Sequence, residues 1–167
     1  LIMDIGGGST ELIAATNEGP YLAQSFDIGV SRLFQAFDFS DPFSDADIHN
    51  VEAFLAQKCG TFFKQKLPQI LIGSSGSFET FYELMEERIF NSKSDSVEVD
   101  CNRFIHMLEQ IMASTQAERD QNPHIIAIRK KMAPLAAIKT RWVLRQANIQ
   151  QIYISPYSLK EGVLFGK

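Results

Sequence analysis

No apolar run in the chain approaches the roughly 18 residues that a membrane-crossing helix needs. A basic stretch followed by a short apolar core is also missing, so no secretory signal is visible. Cysteine is scarce. Cys59 and Cys101 form no CxxC pair, which excludes a disulfide framework or a zinc ribbon and fits reduced, buried thiols in a cytoplasmic protein. His49, His106 and His124 are scattered without metal-ligand spacing. There is no serine elbow with a partner base, no low-complexity tract and no long repeat. Positive charge is in deficit. A net charge of −4 argues against general binding to DNA, while leaving room for a local phosphate site.

What is present is ordinary globular material. The 167 residues suffice for one domain with a proper core, and 45% hydrophobic with 22% charged residues is typical of that class. Thirteen phenylalanines suggest a well-filled interior. The chain starts at Leu1, inside an apolar run that carries its main motif, which reads as a piece of a longer chain.

That motif is LIMDIGGGSTEL, residues 1–12. Leu1, Ile2, Met3 and Ile5 read as a buried strand. Gly6, Gly7 and Gly8 end it and let a ligand approach the main chain, so that several N–H groups can face one anion. Ser9 and Thr10 add hydroxyl donors. Leu12, Ile13 and Ala14 then resume an apolar run up to the turn Asn17-Glu18-Gly19-Pro20. The loop is thus the tip of a strand–turn–strand unit. It differs from nucleotide loops in which the glycines lead into a helix. Asp4 and Glu11 flank the tip, and two hard oxygen donors beside a phosphate cradle suit magnesium. The plainer alternative is a glycine hairpin with two solvated acids.

Further along, Tyr21 to Phe26 reads as a third strand, giving an antiparallel meander. A short helical stretch opens at Ser31-Arg32-Leu33-Phe34. Ile48, Val51, Leu55, Cys59 and Phe62 recur at helical spacing between Asp45 and Lys66. Ile70-Leu71-Ile72 is a short buried strand leading into a second glycine turn, Gly73-Ser74-Ser75-Gly76-Ser77, and then a helix. Gly73, Ser75 and Gly76 either approach a substrate or start that helix, with serine as its cap. Residues 91–100 read as a loop with one extended stretch, and a helix follows from Asp100 or Asn102. The pattern from Ile125 to Ala147 predicts one long helix, interrupted at Pro134. Lys130, Arg141 and Arg145 fall on one side of it, as a guide for a polyanion or as a solvated charged face. Ile152-Tyr153-Ile154 is a last strand, and residues 158–164 suggest a closing helical turn. The expected fold is α/β, a mixed five-stranded sheet with the antiparallel meander first and helices on both faces. Glycine turns at the carboxyl ends of strands are where such sheets bind ligands.

With these segments in hand, the chain resembles the exopolyphosphatase / guanosine pentaphosphate phosphohydrolase family. That family belongs to the actin-like, sugar-kinase and Hsp70-like superfamily, with ribonuclease H-like domains. DIGGGSTEL, Asp4 to Leu12, carries most of the resemblance. IGVSRL (Ile28 to Leu33) matches a second family segment, including Gly29 and Arg32. IGSSGSFETF (Ile72 to Phe81) is similar to a GTxGT turn with Ser74 and Ser77 for threonines, and ISPYSLKEGVL (Ile154 to Leu164) is similar to the closing segment, with Lys160 where arginine is common. One departure is Lys131, which stands where relatives carry the acid of an Arg-x-Asp pattern.

The resemblance implies a second ribonuclease H-like domain of a two-domain phosphatase. It implies magnesium-dependent hydrolysis of a terminal phosphoanhydride, in polyphosphate or guanosine pentaphosphate. On that basis Gly6, Gly7, Gly8, Ser9 and Thr10 hold phosphate, joined by Arg32 and by Gly73, Ser75 and Gly76. Glu11 is then catalytic through metal or water, with Asp4 in the metal shell. Arg32 has a structural alternative, an ion pair within the fold. The expected partners are the substrate, the first domain of the same chain and a possible second copy, with neither DNA nor membrane. The fragment alone is expected to be nearly inactive. Two other functions stay open: an ATP-dependent kinase of the superfamily, and a non-catalytic nucleotide- or polyphosphate-binding domain.

Overall fold

The first three strands follow from alternation and turn chemistry. β1 (Ile2–Ile5), β2 (Thr10–Thr16) and β3 (Gly19–Phe26) form an antiparallel meander in which Met3, Leu12 and Ala14 point inward and are essentially enclosed. This is seen in a computed structural model that describes residues 1–91 and 95–157. The predicted closing turn at 158–164 and Lys160 lie outside the described residues.

β4 (Ile70–Ser74) joins β1 in parallel, and β6 (Gln151–Ile154) joins β4 in parallel. β5 (Val97–Val99) pairs antiparallel with β6 at the edge, and the order is β3-β2-β1-β4-β6-β5. The sheet therefore has six strands rather than the expected five. The extra strand is three residues long and sits in a polar stretch; it pairs with β6 and buries Val99 in the core. So short a segment carries almost no periodic signal.

The helices are α1 (Val30–Ala36), α2 (Asp45–Cys59), α3 (Gly76–Glu86), α4 (Cys101–Ala113), α5 (Gln116–Gln121) and α6 (Ala133–Gln146). Ser44 and Asp47 close a capping box at the start of α2. That helix stops at Cys59, short of the predicted Lys66, and Phe62–Lys64 forms a separate 3-10 turn. The long helix predicted from Ile125 is shorter than expected. Ala127–Arg129 is a 3-10 turn, and α6 begins at Ala133 with Pro134 in its first turn, where a missing N–H costs nothing. Lys131 lies exposed in the turn between them.

The layering also differs from expectation. Among the described residues the helices gather on one face of the sheet, the face of Met3, Leu12, Leu71 and Ile152. α6 packs against α1, α2 and α4, and α3 lies on β4, β6 and α4. Phe78, Phe81 and Phe104 interlock there, stacked or edge to face. The opposite face carries Ile2, Asp4, Glu11, Ile13 and Tyr153, all partly exposed.

Candidate functional site

Register places four polar side chains in one row. Glu11 pairs with Asp4 on one side and with Ser25 on the other, and Asp4 pairs with Ser74 across the parallel ladder. Directly opposed residues share a face, so Ser25, Glu11, Asp4 and Ser74 cross four strands on the open side of the sheet. Ser9 and Ser25 both donate to Glu11 Oε1, each at 2.6 Å. The other carboxylate oxygen of Glu11 accepts no hydrogen bond among the described residues. Ser25 was not legible as part of the site, because only pairing register brings it to Glu11.

Beside the row, Gly6 to Ser9 make the turn between β1 and β2, closed by Gly6 N–H donating to Ser9 O at 3.0 Å. The carbonyls of this loop point inward, to the start of α1. Val30 N–H donates to Gly6 O, Ser31 and Arg32 N–H to Gly7 O, and Gly29 N–H to Gly8 O, at 2.9–3.3 Å. With its carbonyls so used, the loop turns its amides outward. Among the described residues nothing accepts from the N–H of Gly7, Gly8 or Ser9. A loop with successive free amides is a candidate anion cradle. The close approach depends on Gly29. A Cβ there would lie 2.2 Å from Gly7 O, so no side chain fits.

The remaining predicted residues fall into three groups. Arg32 belongs with the cradle: its Nε donates to Gly8 O at 3.1 Å, it faces Asp27 at 3.4 Å, and its guanidinium is largely exposed. Thr10 is turned away. Its hydroxyl is enclosed in the core and accepts from Lys139, so that hydroxyl does not line the cradle. The second glycine turn sits next to the first, since β4 runs alongside β1. Ser75 there has φ 72 and ψ 177, a conformation strained for any residue but glycine. It makes no side-chain cap to α3; its hydroxyl reaches toward Ile5 O at 3.5 Å. Arg129 covers Gly76 and donates to Thr80 Oγ1 at 2.9 Å.

Lys130, in the turn before α6, and Arg141 and Arg145 on that helix are not a free guide for a polyanion. Arg141 and Arg145 both pair with Glu52 on α2, and Lys130 donates to Asp120 O. Among the described residues no three His, Cys, Asp or Glu side chains converge as a metal cluster, so Asp4 and Glu11 stand as a pair of carboxylates. Cys59 is buried, and desolvation pushes its thiol up to about 12, which makes it inert near neutrality. No helix among the described residues is long and apolar enough to cross a membrane.

The domain is thus α/β, with one mixed sheet and a glycine loop next to a pair of carboxylates. The chain belongs to the Ppx/GppA phosphatase family, whose model matches residues 1–167. It is 23% identical over 172 residues to exopolyphosphatase 1 of Mycobacterium tuberculosis and of Mycobacterium bovis, covering all of this chain and 50% of each relative. The fold matches an exopolyphosphatase from Cytophaga hutchinsonii with a TM-score of 0.91 and 34% identity, over 99% of this chain and 55% of that one. It also matches the PPX-GPPA enzyme of Aquifex aeolicus, with a TM-score of 0.87 at 20% identity, over 99% of this chain and 56% of that one. The chain thus spans about half the length of the curated relatives it matches. The fold accords with the actin-like superfamily.

Proposed function

We propose that this chain supplies the phosphate cradle and the metal-binding carboxylates of a phosphatase that hydrolyses a terminal phosphoanhydride, in polyphosphate or in guanosine pentaphosphate. The observation that carries this reading is the union of three amides without an acceptor among the described residues with the Glu11–Asp4 pair beside them. The amides of Gly7, Gly8 and Ser9 hold the phosphate oxygens, and the exposed guanidinium of Arg32 adds charge at the rim. Gly73, Ser75 and Gly76 belong to a neighbouring loop, and of these the strained Ser75 is best placed to border the substrate.

The donor set suits magnesium. Two carboxylates and neighbouring hydroxyls are hard oxygen ligands, and magnesium usually takes one or two carboxylates and completes its shell with water and phosphate. Glu11 offers its free oxygen, while Ser9 and Ser25 fix the other. When bound, the ion supplies charge neutralisation at the phosphoryl group. Glu11 orients the attacking water, and the amides hold the oxygens on which charge gathers. The remainder of the cleft, on this reading, comes from the other half of a full-length protein.

The test is phosphate release from polyphosphate and from guanosine pentaphosphate by the full-length protein, with magnesium and with chelator. Release that needs the metal and falls about a hundredfold or more in Glu11→Gln is the expected result, and the faster substrate names the preference. No release from either substrate overturns the reading. In that case ATP-dependent transfer to an acceptor, and then binding alone, are the next assays.

A further inference from the structure

One buried charge lies outside the proposed chemistry. Lys139 sits mid-way along α6 with 0% of its surface exposed. Its ammonium donates to Thr10 Oγ1 and to Ile28 O, each at 2.5 Å. Neither acceptor is charged, and among the described residues no carboxylate forms an ion pair with it. A small cavity beside it is lined by Leu12, Leu55, Cys59 and Trp142. A buried ammonium without a counter-ion is costly, and an apolar side chain of similar length would fill the same space without that cost. Stability alone does not account for it.

Its two acceptors locate its role. Thr10 directly follows Ser9, the last residue of the cradle. Ile28 directly precedes Gly29 and Val30, whose amides hold the Gly8 and Gly6 carbonyls. Lys139 therefore grips, from the core side, both chain segments whose docking turns the loop amides outward. We propose that Lys139 is a positioning residue for phosphate: a buried cation beneath the cradle that ties its two segments together and takes the bound anion as its counter-ion. This rests on the reading of Gly6 to Ser9 as an anion cradle.

The surroundings support it. Desolvation lowers the ammonium to about 7, and the Glu11 carboxylate acts in the raising direction. Besides Lys139 itself, Cys59 on α2 is the one titratable group among the described residues that lines the adjacent cavity, and at about 12 it is a neutral thiol. The linings from β1, from the segment before α1 and from α6 itself are Met3, Ile28, Trp142 and Val143, none of them titratable. Glu11 acts from the opposite face of the sheet. An anion in the cradle adds a further raising influence, so binding draws a proton onto Lys139.

The experiment uses the full-length protein, wild type and Lys139→Met, with sulfate as probe, a tetrahedral dianion that does not titrate near neutrality. Calorimetry at pH 8 in two buffers of different ionisation enthalpy reads affinity and proton uptake; urea unfolding reads stability. We expect the wild type to take up a proton with sulfate. In Lys139→Met that uptake vanishes and affinity falls about tenfold, as for removal of one unit charge near the anion, while the urea midpoint is unchanged or higher. Equal sulfate affinity and equal uptake in the two proteins overturn the proposal, as does a wild type that binds sulfate without uptake, a result that needs no variant to fold. Polyphosphate release is measured alongside. Lys139-dependent sulfate binding without release removes the hydrolase reading and keeps this inference; release with sulfate binding indifferent to Lys139 does the reverse.

Discussion

The two glycine turns, IGGGS and IGSSGS, look like copies of one device, lie side by side at the ends of β1 and β4, and use their glycines differently. In the first, among the described residues, a Cβ at Gly8 would meet nothing within 4 Å, and the amides of Gly7, Gly8 and Ser9 have no acceptor. In the second, a Cβ at Gly73 would fall 2.0 Å from the Phe78 ring, and one at Gly76 would fall 1.7 Å from the Arg129 guanidinium. The first turn leaves its space open toward solvent, whereas the second fills it with its own side chains. The lesson is that a glycine-rich string marks a close approach without saying what approaches. At one turn the open side suits an anion; at the other the neighbours are a phenylalanine and an arginine of the same chain.

The largest stability effect that sharpens this contrast is at Gly73. Gly73→Ala forces a methyl into the enclosed Phe78 ring, whose neighbours Phe81 and Phe104 leave it no room. Urea unfolding is expected to show a loss of about 3 kcal/mol. Gly76→Ala meets only the far end of a flexible arginine, and the expected loss is under about 1 kcal/mol. Equal costs at the two positions would contradict the packing account.

A smaller and opposite split is expected at the first turn. Gly8→Ala leaves stability within about 0.5 kcal/mol of wild type, because its methyl projects into open space. It should nevertheless weaken sulfate binding severalfold, since that open space is the anion's approach. Unchanged sulfate affinity in Gly8→Ala would place the anion elsewhere.

Much of this architecture was legible before the structure. The meander, a helix start at Ser44 or Asp45, the Ile70–Ile72 strand and the helix carrying Phe78 and Phe81 all follow from periodicity and turn chemistry. Residues 91–100 read as a loop with one extended stretch, but that Val97–Val99 joins the sheet was not legible, because three residues show too little alternation and the partner strand lies more than fifty residues on. Ala127–Arg129 reads as helix in sequence because Ile128, Met132 and Leu135 fall four and three residues apart, while a three-residue 3-10 turn is too short to show its own tighter period. At the site, the loop and its two acids were visible as a string, but Ser25 enters only through strand register. Thr10 shows the converse: one step along a strand reverses the face, and its hydroxyl turns inward to Lys139 while Glu11 turns outward. Lys139 was hidden by its context, a single lysine in the run Leu135 to Lys139 that otherwise looks like core.

The central claim is that the amides of the first turn, and not those of the second, receive the phosphate. It is tested most directly by backbone amide NMR of the full-length protein, titrated with sulfate and then with polyphosphate. The account predicts large downfield proton shifts at Gly7, Gly8 and Ser9, where the amides gain an acceptor, with only slight movement at Gly76 and Ser77. Shifts confined to Gly76 and Ser77, with Gly7 to Ser9 unmoved, would contradict it.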